Sequence, residues 1–191
     1  MVSAGTRATV SSSGVTDTPN VPEAAPRAVS ASRVTLAHLM TAADTNPYGN
    51  VHGGVLMKLA DDAAGLAAAR HCSGPAVTVA IEMALLRPVQ VADLVHASAY
   101  VTWTGRTSME VQVDIGAQRW NETDQSRPVA VAHLVYVALD EDARPLPVPA
   151  LVLETEEDRR HHEEARLRAE TRSLHRVKLE QLRESPESSP A

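Results

Sequence analysis

The stretch that decides the fold runs over residues 44–72, DTNPYGNVHGGVLMKLADDAAGLAAARHC. It passes from a turn-rich opening through the pair Gly53 and Gly54 into a segment with a single apolar stripe. Val55, Leu56, Leu59, Ala63, Leu66 and Ala67 recur at three- and four-residue spacings, which predicts one amphipathic helix ending near His71. Its many alanines allow a sheet to approach closely. Two adjacent carboxylates, Asp61 and Asp62, ride on this helix, and burying a carboxylate is costly without partners. Asp62 has a natural partner in Lys58 one turn back. Asp61 is the carboxylate left to explain.

Downstream of the helix the pattern changes to period two, the signature of strands. VTVAIEM places Val77, Val79, Ile81 and Met83 on one face, and LVHASAYVTW does the same with Val95, Ala97, Ala99, Val101 and Trp103. In SMEVQVDIG, Met109, Val111, Val113 and Ile115 alternate with Glu110, Gln112 and Asp114. PVAVAHLVYVALD is apolar on both faces and reads as a central strand covered on both sides. TGRT is a short hairpin turn and QRWNETDQSRP a longer polar loop. With a first strand in SRVTLAHLM, the fold class is α+β: one long helix on an antiparallel sheet of about five strands. A sheet half covered in this way calls for a partner, so a dimer or larger assembly is expected.

The flanks differ in composition. Residues 1–30 are rich in Ser, Thr, Ala and Pro without periodicity and are expected to be a disordered tail. Residues 31–150 form the folded domain, and 151–191 a charged helix and tail. In that last segment Glu156 with Arg160 and Glu164 with Arg168 stand at i,i+4 in the favourable order. His161 and His162 are consecutive, face different sides of a helix, and predict no metal site.

Composition limits the function. The 191 residues carry a net charge of −6, 43% hydrophobic residues, 3% aromatics and no Phe. The acidic balance argues against a general nucleic-acid or anionic-membrane surface. A single cysteine, Cys72, forbids an internal disulfide. No apolar run reaches the length of a membrane span, and the N-terminus lacks the basic start and apolar core of a secretory signal. A cytoplasmic location is expected.

The chemistry concentrates where the reading began. Glycine at a helix start lets a ligand approach the backbone, and the first N–H groups there are unpaired at the positive end of the helix dipole. A carbonyl oxygen placed against them is polarised, which is the physics of an oxyanion hole. Asp61 follows Gly53 by eight residues and can act as base or nucleophile. Asn46, fifteen residues before Asp61, can orient a water or a carbonyl, and His52 caps or lines the turn.

The segment TNPYGNVHGGVLMKLADDAAGLAAARHC resembles the core of the hotdog-fold acyl-CoA thioesterases, in particular the cytosolic acyl-CoA hydrolases and their single-domain bacterial relatives. The likeness continues through VTVAIEMALLRPVQVADLV, TGRTSMEVQV and VAHLVYVALDEDARPLPVPALVLETEEDRRHHEEA, over roughly residues 33–166. The resemblance implies a long helix wrapped by an antiparallel sheet, protomers pairing through sheet edges, and a homodimer assembling into a trimer of dimers. It implies hydrolysis of fatty acyl-CoA to fatty acid and CoA without a metal or other cofactor. It places the catalytic acidic residue at Asp61, the catalytic-site asparagine at Asn46 from the facing protomer, and the oxyanion amides at Gly53 and Gly54. His52, Arg106, Thr107 and Ser108 are then substrate-binding, with Arg106 a phosphate contact. Asn50 and His52 stand where many bacterial relatives carry an acidic and an aromatic residue. Rival readings are an acyl-thioester hydratase or dehydratase and a non-catalytic acyl-CoA-binding protein.

Overall fold

In the computed structural model, residues 25–122 and 126–184 are described. The first elements among the described residues are a two-residue strand β1 (Arg27–Ala28), a single helical turn α1 (Val29–Ser32) and strand β2 (Val34–Leu39). After a 3-10 turn at Ala42–Asp44 comes the long helix α2 (Gly53–Cys72). Then follow β3 (Ala76–Leu85), β4 (Asp93–Thr104), β5 (Ser108–Arg119), β6 (Arg127–Ala138), the short β7 (Leu151–Val152) and α3 (Glu156–Glu184). Strands β2 to β6 form one antiparallel sheet in the order β2-β4-β5-β6-β3, and β1 pairs with β7 in parallel. The helix and five-stranded sheet are the hotdog arrangement that the resemblance implied.

The alanines explain how α2 sits. Leu56, Ala60, Ala63, Ala64, Ala67, Ala68 and His71 are its buried residues. They face Val95, Ala97 and Ala99 of β4, Met109, Val111 and Val113 of β5, and Ala132 and Leu134 of β6, all buried in one cluster. Small side chains on both sides bring backbones close, so the apolar area removed from water comes from many small groups at interior packing density.

Several expectations need correction. The strands covered on both faces are β5 and, over 99–102, β4, not β6. In β6 buried residues alternate with half-buried ones, whereas Met109 to Val113 of β5 are all buried. The cause is α3, whose first turns cross the outer face of β4 and β5. His162 Nδ1 lies 3.0 Å from the Thr102 carbonyl, and the Tyr100 hydroxyl donates to Asp114 at 3.0 Å and meets His161 Nδ1 at 3.2 Å. Arg168 therefore does not pair with Glu164: it donates to Glu110, which has no exposed surface, at 2.9 Å, and Arg172 holds the other oxygen at 2.6 Å. Arg160 likewise pairs with Glu157 at 3.9 Å rather than Glu156.

The second correction concerns β3. Its register slips at Val79, between Thr78 opposite Tyr136 and Ala80 opposite Val135. The bulge puts Val77, opposite Val137, on the outer face and Ile81 and Met83, opposite Leu134 and Ala132, on the helix face. The four residues do not share one face. The third is the tail boundary. The disorder expected over 1–30 lies outside the described residues for 1–24, but Val29 and Ser32 are buried, and the Ser32 hydroxyl accepts the Val101 N–H at 3.0 Å. The packed chain thus begins by Arg27. Residues 151–165 also belong to it, since Asp158, His161 and Ala165 are buried and His161 meets Tyr100 of β4.

Both sheet edges are open in the single chain. On β3 the edge is apolar, with Val77, Val79, Ile81 and Leu85 all exposed. The ion-pair clamp on α3 has a measurable consequence. Arg168 and Arg172 keep 22% and 33% of their side-chain surface in water, so they can partly rehydrate when their counter-charge is removed. Glu110→Gln is expected to lower the unfolding free energy by about 2 kcal/mol, below the cost of breaking a wholly buried pair. Urea unfolding followed by circular dichroism measures this; an unchanged midpoint would mean that the clamp does not hold α3.

Candidate functional site

The start of α2 separates the two glycines. His52 is the N-cap, and its Nδ1 accepts the N–H of Gly54 at 2.9 Å while its own N–H donates to the Asp44 carbonyl at 2.8 Å. The Gly54 N–H is therefore occupied by a cap. The Gly53 N–H makes no hydrogen bond among the described residues, and it stands at the positive end of a 20-residue helix. A Cβ at Gly54 would lie 2.9 Å from His52 Nδ1 and would break the cap; one at Gly53 would lie 3.1 Å from Leu85 Cδ1. Of the expected pair of oxyanion donors, Gly53 is the available one. His52 acts here on the backbone.

Asn46 closes a tight turn before the helix. Its Oδ1 accepts the N–H groups of Tyr48 and Asn50 at 2.9 and 3.3 Å, and its own N–H donates to the Asn50 carbonyl at 2.8 Å. Gly49 supplies the left-handed residue of the turn at φ +82°. With the oxygen engaged, the side chain presents its two amide N–H groups. Upstream, Thr41 donates both its N–H and its hydroxyl to Asp44, which holds the Asp44 carboxyl below its usual range. Asn46 and Gly53 line one cavity of about 320 Å³ together with Leu56, Leu85, Arg87 and Val89.

Asp61 lies elsewhere. Eight residues along α2 from Gly53 place it about 12 Å further down the helix axis, and no hydrogen bond joins it to Asn46 among the described residues. Its Oδ1 accepts the Thr78 hydroxyl at 2.8 Å and the Tyr136 hydroxyl at 2.7 Å. Burial pushes the Tyr136 phenol well above its usual range, so it stays a proton donor to this carboxylate. Asp62 pairs with Lys58 at 2.5 Å on the solvent side, as expected. One oxygen of Asp61 is held by two hydroxyls; Oδ2 has no protein partner among the described residues.

Thr78 and Tyr136 are the two residues that sequence reasoning missed. Thr78 sits in a strand whose alternation the bulge breaks, and Tyr136 is enclosed by the apolar run LVYVAL. The only signal was the Tyr136 hydroxyl in a strand read as apolar on both faces; Thr78 lay opposite the face read as apolar.

The TGRTS hairpin forms as expected, with the Gly105 N–H donating to the Ser108 carbonyl at 2.8 Å. It stands apart from Gly53 and Asn46. Thr107 and Ser108 line a hollow of about 520 Å³ on the outer face, with Trp103, Val79, Arg172 and Arg176. The Arg106 carbonyl accepts the Val148 N–H at 3.0 Å, and its side chain is exposed. Among the described residues no group of three or more His, Cys, Asp or Glu side chains is placed to hold a metal ion, and no helix is long and apolar enough to cross a membrane.

Comparison with known proteins adds to this geometry. The thioesterase superfamily model matches residues 48–122. The chain is 38% identical over 143 residues to the cytosolic acyl coenzyme A thioester hydrolase of Rattus norvegicus, covering 74% of this chain but only 38% of the rat protein's length. It is 40% identical over 130 residues to the uncharacterized acyl-CoA thioester hydrolase YkhA of Bacillus subtilis, covering 68% of this chain and 75% of that one. Among solved structures, the acyl-CoA hydrolase of Staphylococcus aureus, in complex with butyryl coenzyme A, coenzyme A and coenzyme A disulfide, superposes with a TM-score of 0.77 at 28% identity, over 83% of this chain and 96% of that one. Structures of its alanine variants at one aspartate, one asparagine and one threonine superpose equally. An apo-hexameric acyl-CoA thioesterase gives 0.76 at 33% identity, over 80% and 97% of the two chains. With this likeness running through the helix, the sheet and the turn before them, the chain belongs to the acyl-CoA thioester hydrolase family of the thioesterase superfamily.

Proposed function

We propose that this protein hydrolyses fatty acyl-CoA to a fatty acid and CoA, at two equivalent sites each built from two protomers. The observation that carries the reading is the division of the site between the two ends of β3. Thr78, near its start, donates to Asp61; Leu85, at its end, lies against Gly53 and lines the cavity with Asn46. The β3 edge between them is apolar and open, with Val79 58% exposed. Two-fold antiparallel pairing of β3 with its copy sets the Thr78 end of each against the Leu85 end of the other. Asp61 of one protomer then faces the Asn46 and Gly53 of its partner. The hexameric relative favours further assembly into a trimer of dimers, and the cytosolic relatives favour a cytoplasmic location.

The spacing in the Staphylococcus aureus enzyme supports the choice of residues. Its substituted aspartate lies fifteen residues after its asparagine, and its threonine seventeen after the aspartate. Asn46, Asp61 and Thr78 stand at the same spacings here.

In this reading the thioester carbonyl oxygen accepts the Gly53 N–H, and Asn46 donates an amide N–H to the carbonyl or to the attacking water. Thr78 and Tyr136 fix one oxygen of Asp61, which aims the other at the reacting carbon. That oxygen takes the proton of a water attacking the carbonyl, or attacks it directly to give an anhydride that water then opens. In the first course the C–S bond breaks and the CoA thiolate takes the proton that Asp61 drew from the water. In the second the thiolate leaves as the anhydride forms, and the water that opens the anhydride supplies its proton. The acyl chain enters a cavity walled by aliphatic groups, Leu56, Leu85 and Val89. Thr107, Ser108 and the guanidinium of Arg106 serve the CoA end. The reaction calls for no metal or redox cofactor.

Three measurements check this. Thiol release from acyl-CoAs of increasing chain length should fall by about a thousandfold or more in kcat for Asp61→Ala; unchanged turnover would remove Asp61 from the mechanism, and no hydrolysis of any thioester would point to a binding protein. Co-refolding equal amounts of inactive Asp61→Ala and Asn46→Ala chains should recover about a quarter of parental activity, because half the dimers are mixed and each has one intact site. No recovery would contradict the composite site.

The third isolates the oxyanion donor. Gly53 is the first residue of α2, where proline is tolerated because the N–H has no helical partner, and the extended His52 backbone, ψ 131°, accepts a following proline. Gly53→Pro should keep the fold yet lower kcat by about a hundredfold or more. Gly53→Ala adds the same Cβ but keeps the N–H, and should lose much less. Equal losses in the two variants would mean that the N–H is not what matters.

A further inference from the structure

We propose that Gln90 is a positioning residue for catalysis: its hydrogen bond to Asn50 sets where the Asn46 amide stands. The inference rests on the role assigned to Asn46 above.

The chain of contacts begins in the rigid sheet. Asp93, at the start of β4, has no exposed surface. Arg127 of β6 donates to its Oδ2 at 2.6 Å, and Arg119 of β5 lies 3.4 Å from its Oδ1. The same Oδ2 accepts the backbone N–H of Gln90 at 3.0 Å. Three strands thereby hold one loop residue in place. From there the Gln90 side chain donates through Nε2 to Asn50 Oδ1 at 2.6 Å. Asn50 in turn brackets Asn46, donating its N–H to the Asn46 side-chain oxygen and accepting the Asn46 N–H with its carbonyl.

Among the described residues no other side chain performs this task. Tyr48, at the tip of the turn, is 91% exposed, and Gly49 has no side chain. Among the described residues, Gln90 to Asn50 is the only side-chain hydrogen bond tying residues 46–50 to the rest of the protein. Backbone bonds resume only at Val51, to Val89, and His52, to Asp44. With its base held by backbone bonds, the turn has this one side-chain tie at Asn50 to fix its tip, and displacements of about 1 Å are enough to cost rate.

An amide facing an amide supplies its own test. Asn50→Asp keeps the acceptor for Gln90 Nε2. Gln90→Glu keeps the bond with its direction reversed, because the Asn50 amide can turn and donate. Each single variant should therefore hold kcat within about threefold of the parent. The double variant sets two carboxylates where the bond was 2.6 Å long, and they repel when both are ionised. Its kcat should fall about tenfold or more at pH 7.5, with KM little changed, and its ratio to the parent should recover towards pH 5.5 as the pair takes up a shared proton. A merely structural defect would give no such recovery. A double variant with parental kcat at pH 7.5, or one whose loss relative to the parent does not change with pH, would overturn the proposal. Asn46→Ala is measured beside it: an impaired Asn46→Ala with an unimpaired double variant overturns the role of Gln90 alone, whereas a fully active Asn46→Ala overturns the reading of Asn46 and this proposal with it.

Discussion

Everything in this molecule depends on how closely α2 lies on its sheet. Ala60, Ala63, Ala64, Ala67 and Ala68 give the helix a face with almost no side-chain height, and alanines and valines of β4, β5 and β6 meet it. A core without Phe is stabilised by many small contacts at high density rather than by a few large ones. The same closeness sets the surroundings of Asp61 and Gly53. Asp61 is near enough to the sheet for Thr78 and Tyr136 to reach one of its oxygens, and Gly53 is near enough to Leu85 that a methyl group would crowd it. A bulkier interface would separate the carboxylate from both hydroxyls.

The outer face follows a different principle. Its polar groups are buried by partnership instead of being left to solvent: Glu110 between two arginines, Tyr100 between Asp114 and His161 with the Arg33 guanidinium 4.4 Å from its ring centroid. Buried ionic groups of this kind add little net stability over an apolar replacement, but they fix one arrangement. Here they determine where α3 crosses the sheet, and so which side chains wall the hollow beside the TGRTS hairpin.

In the site proposed above, the helix terminus and the carboxylate stand at separate places in the chain's fold. The unpaired Gly53 N–H and the amide of Asn46 line one cavity, and the Asp61 carboxylate is held at the other end of β3. In the proposed dimer these become two half-sites facing an apolar edge. The capping of Gly54 by His52 narrows the donor to one glycine, and the turn that uses the Asn46 oxygen leaves that residue only as a donor.

The sequence by itself determined the elements: a helix from its 3.6-residue stripe, strands from their alternation, and the division of the Asp pair, since Lys58 and Asp62 stand one turn apart. These are local matters, settled by side-chain period and helix geometry. Motif spacing carried Asn46, Gly53 and Asp61 as candidates. Tertiary structure alone decided what required distant residues to meet. The bulge at Val79 that turns Thr78 towards Asp61 is a matter of pairing register, invisible to alternation. Glu110 looked like the solvent face of a strand because its arginines lie about sixty residues further along the chain. Tyr136 looked like one more apolar strand residue until packing placed its hydroxyl on a carboxylate. Period reports which way a side chain points, and only the folded chain decides what waits there.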